Sequence, residues 1–373
     1  MTALTPTPRK LPRPIEYAIV ALLLGVAAAI LVIAAERLTL LDSGVFGYDW
    51  HLFWTTVRTG VPDYSQLDVF NPPWTQLMLV PFGQLSFKAS WALWTLASLS
   101  VFVLAVPQRA DGQAWPLGLV LGLGSFWTLR ALADGALEAF VVAGALVMVW
   151  AWRTRRPIWL GLGIVLATSK YQETWLLAVG AGVLALRYWR PATWLRAAAT
   201  CIAIMAPTLL WLGPGWLARL THGADGVGFS PNIARLGSNI SLQALGGLTG
   251  WPSAATWVVW GVVLVVTAVT LWQRVRGLDT RSAGLLIVAS MLLAPYVGLL
   301  SLASLVVLVL LPLMTRQRWL GLTLVLWANL PYLTAFRPGT TGQFEWPEWV
   351  HLGLLVVTWF VLVREQWRPE VSA

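Results

Sequence analysis

Long apolar runs separated by short polar turns set the pattern of this chain. A first run covers about residues 16–36. Others cover about 87–106, 114–130, 136–152, 157–169, 173–188, 196–213, 252–273, 281–294, 296–314, 319–336 and 347–364. Read as helices, they predict an all-α polytopic membrane protein with about twelve spans and both termini on one side. Several runs are short enough to be paired or broken helices. Two longer polar stretches, residues 37–86 and the region between Leu212 and Trp251, are outer loops in this threading. The expected organisation is one integral-membrane domain over residues 1–373. Residues 15–213 form its catalytic module and residues 214–373 hold the second outer loop and the C-terminal helices.

The first outer loop has its own period. Trp50, Phe53, Trp54 and Val57 fall at i, i+3, i+4 and i+7, one apolar stripe of a helix, with Asp49 at its start and Gly60 just past its end. A second stripe follows in Trp74, Leu77, Met78, Pro81, Phe82 and Leu85, with Asn71 placed to cap and Pro72 in the first turn. A helix over 72–85 is about 21 Å long, too short for a hydrocarbon core of about 30 Å. Both segments therefore predict amphipathic juxtamembrane helices lying at the headgroup boundary.

Composition fixes the class. The chain is 58% hydrophobic and 11% charged, which excludes a water-soluble fold of this length. Its 25 Trp suit interfacial anchoring. The formal net charge of +9 is read as basic cytoplasmic loops, not as a nucleic-acid surface. The threading places 17 of the 25 basic residues inside, including Arg153, Arg155 and Arg156, and 11 of the 16 acidic residues outside. Letting 72–85 cross would put the Arg153–Arg156 cluster outside, against the positive-inside rule. Charge and helix length thus agree that the first loop faces away from the cytoplasm. Arg9, Lys10 and Arg13 before the first run read as a retained signal anchor. A lone Cys201 and three scattered histidines predict no disulfide framework, no cofactor and no metal site.

With no soluble domain, chemistry has to come from outer loops and span ends. Carboxylates gather around the first loop, as Asp42, Asp49, Asp63 and Asp68. Asp49, beside Tyr48, Trp50 and lipid, is the candidate base, because partial desolvation raises carboxylate basicity. It also suits a plain helix cap, and Asn in its place would cap without acting as a base. Lys170, in Ala167-Thr-Ser-Lys-Tyr-Gln-Glu173, sits at the outer ends of two short runs. It is placed to bind a lipid phosphate, or to snorkel while paired with Glu173. Asp134 and Glu138, one turn apart, are candidates for holding hydroxyls, and Glu138 suits a solvated helix start as well. Arg235 and Asn239 lie in the second outer loop. No carboxylate cluster of magnesium type is visible.

Several stretches together carry a resemblance. They are Gly47 and Asp49, Asn71-Pro72-Pro73-Trp74 with Val80-Pro81-Phe82, the acidic turn at 134–138, Ala167-Thr-Ser-Lys170, Asn239-Ile-Ser241-Leu242 and Leu293-Ala-Pro295. Over about residues 15–315 the chain resembles the C-superfamily (GT-C) of membrane glycosyltransferases, and most of all glycosyltransferase family 87, the polyprenyl-phosphate-mannose-dependent mannosyltransferases. The family usually has Tyr-Pro-Pro at 71–73, Gly-Gln-x-Asn at the acidic turn and histidines after Pro295, and this chain does not.

The resemblance implies inverting transfer of a hexose such as mannose from a polyprenyl-phosphate donor to a lipid or glycan acceptor, at the outer face of the cytoplasmic membrane. It maps the base onto Asp49 and donor phosphate binding onto Lys170, with Arg235 as helper. Tyr48, Asp134, Glu173 and Asn239 are the expected substrate-binding set, with no metal, cofactor or nucleic acid. The alternatives are a lipid-linked-sugar flippase, a small-solute transporter or an assembly subunit. A carrier calls for ionisable groups at mid-membrane, whereas the charges here fall mostly at span ends.

Overall fold

The computed structural model describes residues 47–58, 71–108, 115–212, 240–243, 253–331 and 348–368, with no β-strand among them. The expected span at 16–36, the carboxylates Asp42, Asp63 and Asp68, Gly60, and the loop residues Arg235 and Asn239 lie outside the described residues. The helices are α1 (Tyr48–Arg58), α2 (Pro73–Gly83), α3 (Phe87–Ala105), α4 (Pro116–Leu123), α5 (Phe126–Asp134), α6 (Glu138–Arg153) and α7 (Pro157–Ala167). They continue as α8 (Tyr171–Tyr188), α9 (Pro191–Leu212), α10 (Ser253–Arg274), α11 (Thr280–Leu293), α12 (Leu299–Arg316), α13 (Arg318–Ala328) and α14 (Glu348–Trp367).

Four of these, α3, α9, α10 and α12, are long and apolar enough to cross a membrane. A fifth crossing results if α4 and α5 are one span. That pair was expected as a single run, and it is instead bent by 57°. Gly124 ends α4, Ser125 begins α5, and the Asn329 side chain accepts the Phe126 N–H at 2.7 Å, satisfying a donor that the break exposes. α11 and α13 are apolar but short.

α1 and α2 form where their apolar stripes predicted, but they dock differently. Trp50 and Val57 are buried, and Trp50 stacks on Trp94 of α3 with ring centroids 5.1 Å apart. In α2 the expected stripe splits. Leu77, Pro81 and Leu85 are exposed, while Trp74, Thr75, Gln76, Leu79 and Gly83 are buried. The buried side faces α1 at Gly83, where a Cβ would press on Val57, and it faces α9 at Trp74 and Met78. The helix is therefore wedged between two neighbours, and only its outer edge is open. Pro72 occupies the N-cap, so Asn71 stands one residue before it.

Most of the interior is one large apolar cluster joining α3 and α5 to α14, with smaller ones around Trp50 and Trp74. α6 and α7 approach backbone to backbone at Gly144 and Gly163, where any side chain would collide with Ala167 or Met148. Small residues at such a seam allow the close packing on which helix association in lipid depends. α6 has Glu138 at one end and Arg153 at the other, about 23 Å away along its axis. α3, α8 and α12 share this sense. The two ends of the bundle therefore carry different chemistry.

Candidate functional site

At one end of the bundle four elements converge. A set of hydrogen bonds from indoles and one backbone amide to the α5–α6 turn positions the first. Gly47, in the left-handed region at φ 68°, donates its N–H to Ala133 O at 2.7 Å. Trp91 Nε1 donates to the same carbonyl at 3.2 Å, and Trp94 Nε1 donates to Ala136 O at 3.2 Å. Trp50 Nε1 donates to Ser90 Oγ at 2.9 Å. Gly135, also left-handed at φ 71°, ends α5 and lets Trp50 lie directly on the turn. The start of α1, with Tyr48 and Asp49, is thereby fixed beside Asp134.

The last turn of α5 supplies Arg130 and Asp134, which pair at i, i+4 with Arg130 Nε 2.7 Å from Asp134 Oδ2. The first residue of α6 supplies Glu138, which is fully buried. The 3₁₀ turn Thr168–Lys170, between α7 and α8, supplies Lys170. Its Nζ donates to Glu138 Oε1 and lies 2.9 Å from Glu173 Oε1. Thr174 Oγ1 closes the turn by donating to Ala167 O at 2.7 Å. Of the expected site residues, the base candidate Asp49, the phosphate-binding candidate Lys170 and the substrate-binding candidates Tyr48, Asp134 and Glu173 thus stand at one end of the bundle. The Lys170–Glu173 pairing read from the sequence is present.

Electrostatics ties the pieces together. Burial pushes the Asp49 carboxyl up from 3.8 to about 6. The negative charge of Asp134 adds to the shift, while Lys170 and Arg130 work against it. Burial works against charge on Lys170, but Glu138 and Glu173 outweigh it and raise its pKa above that of an ordinary lysine. The ammonium is held charged between two carboxylates. Among the described residues no three of His, Cys, Asp and Glu are grouped to hold a metal ion.

Two charged members of this end have roles that the sequence does not give. Glu138, which the sequence offers either as a hydroxyl-binding candidate or as a solvated helix start, is not solvated: it is the partner of Lys170 at zero exposure. Arg130 is one of the eight basic residues that the threading leaves outside. Its i, i+4 spacing from Asp134, with Glu138 a further turn on, was the available signal. Polar atoms without partners mark the same region. Both amide atoms of Gln76, the Ser169 hydroxyl, Asp134 Oδ1 and Glu138 Oε2 are buried without a hydrogen bond among the described residues. Thr75 Oγ1 donates to Ser169 O at 3.4 Å, so α2 touches the Lys170 turn. Unsatisfied groups of this kind are rare in natural interiors, and a ligand or ordered water is one way to satisfy them.

Two of the sequence stretches quoted above also meet. Ile240 donates its N–H to Val297 O and Leu242 donates to Leu292 O, each at 3.0 Å. Residues 240–243 therefore run along the C-terminal end of α11. That end packs on the start of α8, where Ser290 Oγ accepts the Leu176 N–H at 2.9 Å. His51 packs edge-on to Phe87 with ring centroids 5.5 Å apart.

The described residues form an apolar helical bundle with a buried charged cluster at one end. Residues 70–300, more than half of the chain, match the family model of Glycosyltransferase family 87, and the chain belongs to that family. It is a membrane glycosyltransferase, with sugar donor and acceptor as its substrates. The matched segment contains Asp134, Glu138, Lys170 and Glu173, and it begins after Asp49. No curated protein and no solved structure matches the chain.

Proposed function

We propose that the protein transfers a hexose, mannose being the first choice, from a polyprenyl-phosphate donor to a lipid or glycan acceptor at the outer face of the cytoplasmic membrane. The observation that carries this reading is the Asp49 carboxyl. It is raised to about 6 by burial and is faced by Asp134, Lys170 and Arg130. A base with that pKa is ionised at neutral pH and binds a proton more tightly than an exposed aspartate does.

In the proposed step Asp49 takes the proton of an acceptor hydroxyl as its oxygen attacks the anomeric carbon. The bond from that carbon to the phosphate oxygen breaks, and its electron pair leaves with the polyprenyl phosphate. A single in-line displacement inverts the anomeric centre. Lys170 and Arg235 neutralise the leaving phosphate. The described cluster sets four carboxylates (Asp49, Asp134, Glu138 and Glu173) against two cations, Arg130 and Lys170. Arg235, outside the described residues, is the proposed helper that adds positive charge for the phosphate. Tyr48, Asp134, Glu173 and Asn239 hold sugar and acceptor hydroxyls, helped by Gln76 and Arg130. No metal is assigned a part.

The outer-face assignment is supported by charge. Arg153, Arg187, Arg274 and Arg316 all stand at the far ends of helices that begin, or are packed, at the Asp49 end. By the positive-inside rule this charge distribution supports an outward-facing cluster. The twelve-span threading with cytoplasmic termini and the juxtamembrane lie of α1 and α2 belong to the same proposal. The exposed Leu77 and Leu85 support the latter.

The test is transfer in proteoliposomes. Radiolabelled polyprenyl-phosphate mannose is expected to donate sugar to extracted lipid acceptors with inversion, while a nucleotide mannose is not used. Transfer from the nucleotide sugar, or retention at the anomeric carbon, overturns the reading.

A further inference from the structure

The opposite end of the bundle holds a second feature that sugar transfer does not use. A groove of about 720 Å³ lies between α3, α6, α11 and α12, a volume in the range of small-molecule sites. Its depth is apolar, with Val149, Ile287, Val307 and Leu308 among its walls. Leu104 and Trp150, 69% and 44% exposed, form its outer lip, so the groove opens sideways onto the lipid-facing surface. Its mouth is basic. Arg153, Arg281 and Arg316 come from three different helices.

The groove wall has a structural cause. Val307 and Leu308 belong to a π-helical turn, Val306–Leu310, inside α12. Pro312 follows it and cannot donate a backbone hydrogen bond to Leu308 four residues earlier. The widened turn and Pro312 both line the cavity, and π turns of this kind recur at functional sites.

Charge at the mouth is not cancelled. Asp279 spends its carboxylate on the start of α11, accepting the Arg281 N–H at 3.0 Å and the Ser282 N–H at 2.8 Å. Arg316 is paired with Glu365 at 3.0 Å. No ion pair engages Arg153 or Arg281 among the described residues. Both also line an adjoining cavity of about 540 Å³ that holds three further arginines. The two cavities together show six arginines against two carboxylates, Asp279 and Glu365.

We propose that this groove binds an anionic phospholipid, with its phosphate between Arg153 and Arg281 and its acyl chains along the apolar wall toward Leu104 and Trp150. A basic pocket between spanning helices, open to lipid on one side, offers both halves of such a molecule what they need. A soluble anion would use only the mouth and leave the groove unfilled. This site is independent of the sugar-transfer reading, since it lies at the other end of the bundle and shares no residue with the Asp49 cluster.

The experiment uses the full chain, purified in mild detergent and stripped of lipid. It is equilibrated with equal amounts of phosphatidylglycerol and phosphatidylcholine in mixed micelles, and retained lipid is read by native mass spectrometry. Phosphatidylglycerol is expected to be retained about tenfold over phosphatidylcholine, less so at high salt. The double variant R153Q/R281Q should lose that preference. R318Q, which lies outside the groove, should keep it. Glycerol phosphate, the headgroup without chains, should not compete. Equal retention of the two lipids by the wild type overturns the proposal, and this readout stands even if the double variant does not fold. An unchanged preference in R153Q/R281Q, or displacement by glycerol phosphate, overturns it as well.

Discussion

Gly135→Ala tests how the site is held together. Gly135 ends α5 at φ 71°, and any L residue there carries a left-handed penalty of about 1–2 kcal/mol. A shorter list of unfolded conformations returns about 0.4–1 kcal/mol. The new Cβ would also stand 2.5 Å from Trp50 Cβ and 3.3 Å from Trp91 Cδ1. Trp50 Cβ is anchored to backbone and is buried against Trp94, so it cannot swing aside as a flexible tip would. Overpacking of this kind costs about 1–3 kcal/mol, and the net expectation is a loss of about 2–4 kcal/mol. Relief requires α1 to slide off the α5–α6 turn, taking Asp49 with it. A displacement near 1 Å at a reacting group lowers rate by about 100-fold. Gly182→Ala is the control. Nothing lies within 4 Å of its Cβ position in α8, so alanine should stabilise by about 0.5–1 kcal/mol and leave transfer unchanged. Thermal unfolding in detergent and transfer in proteoliposomes read both variants. A Gly135→Ala protein as stable and as active as the wild type would refute the anchoring described here.

Lys170→Met should destabilise by about 3–5 kcal/mol, because it leaves Glu138 and Glu173 buried without their cation. Adding Glu138→Gln and Glu173→Gln should recover most of that loss in thermal unfolding, and no recovery would mean that the ion pairs are not the source. Transfer should rise with pH through about 6 and then level off, because Asp49 has to lose its proton before it can accept another. An inflection near 4 would show an ordinary exposed carboxylate.

The all-helical class and the positions of many helices were legible because long apolar runs are written in the chain itself. Only four of the described helices, however, or five with the bent pair, are long and apolar enough to cross a membrane. The ends of α10 and α11 fall within a residue or two of their expected positions. The break at Gly124 and Ser125 was missed, because mean hydropathy carries smoothly across it while the Asn329 side chain that supports it is two hundred residues away. The α2 stripe misled for a related reason. Periodicity shows that a helix has an apolar side, but not whether that side meets lipid or protein. Trp74 and Leu79 went inward, and Leu77 and Leu85 stayed out. In the site, Asp49, Asp134, Lys170 and Glu173 were readable as charges at span ends. That Glu138 is the buried partner of Lys170 was not, since it depends on α6 and α7 meeting at Gly144 and Gly163. Arg235 and Asn239 remain as the sequence proposed them.

The most direct test replaces a single side chain. Asp49→Asn keeps the shape and the capping ability of the residue and removes its basicity. Because burial raises the Asp49 pKa from 3.8 to about 6, ionising it costs the folded state stability. That cost is absent below about 3.8, grows up to about pH 6 and is full above it. At pH 7 the variant should therefore fold at least as stably as the wild type while transferring no sugar from polyprenyl-phosphate mannose. Unchanged transfer by a well-folded Asp49→Asn protein would contradict the account at its centre.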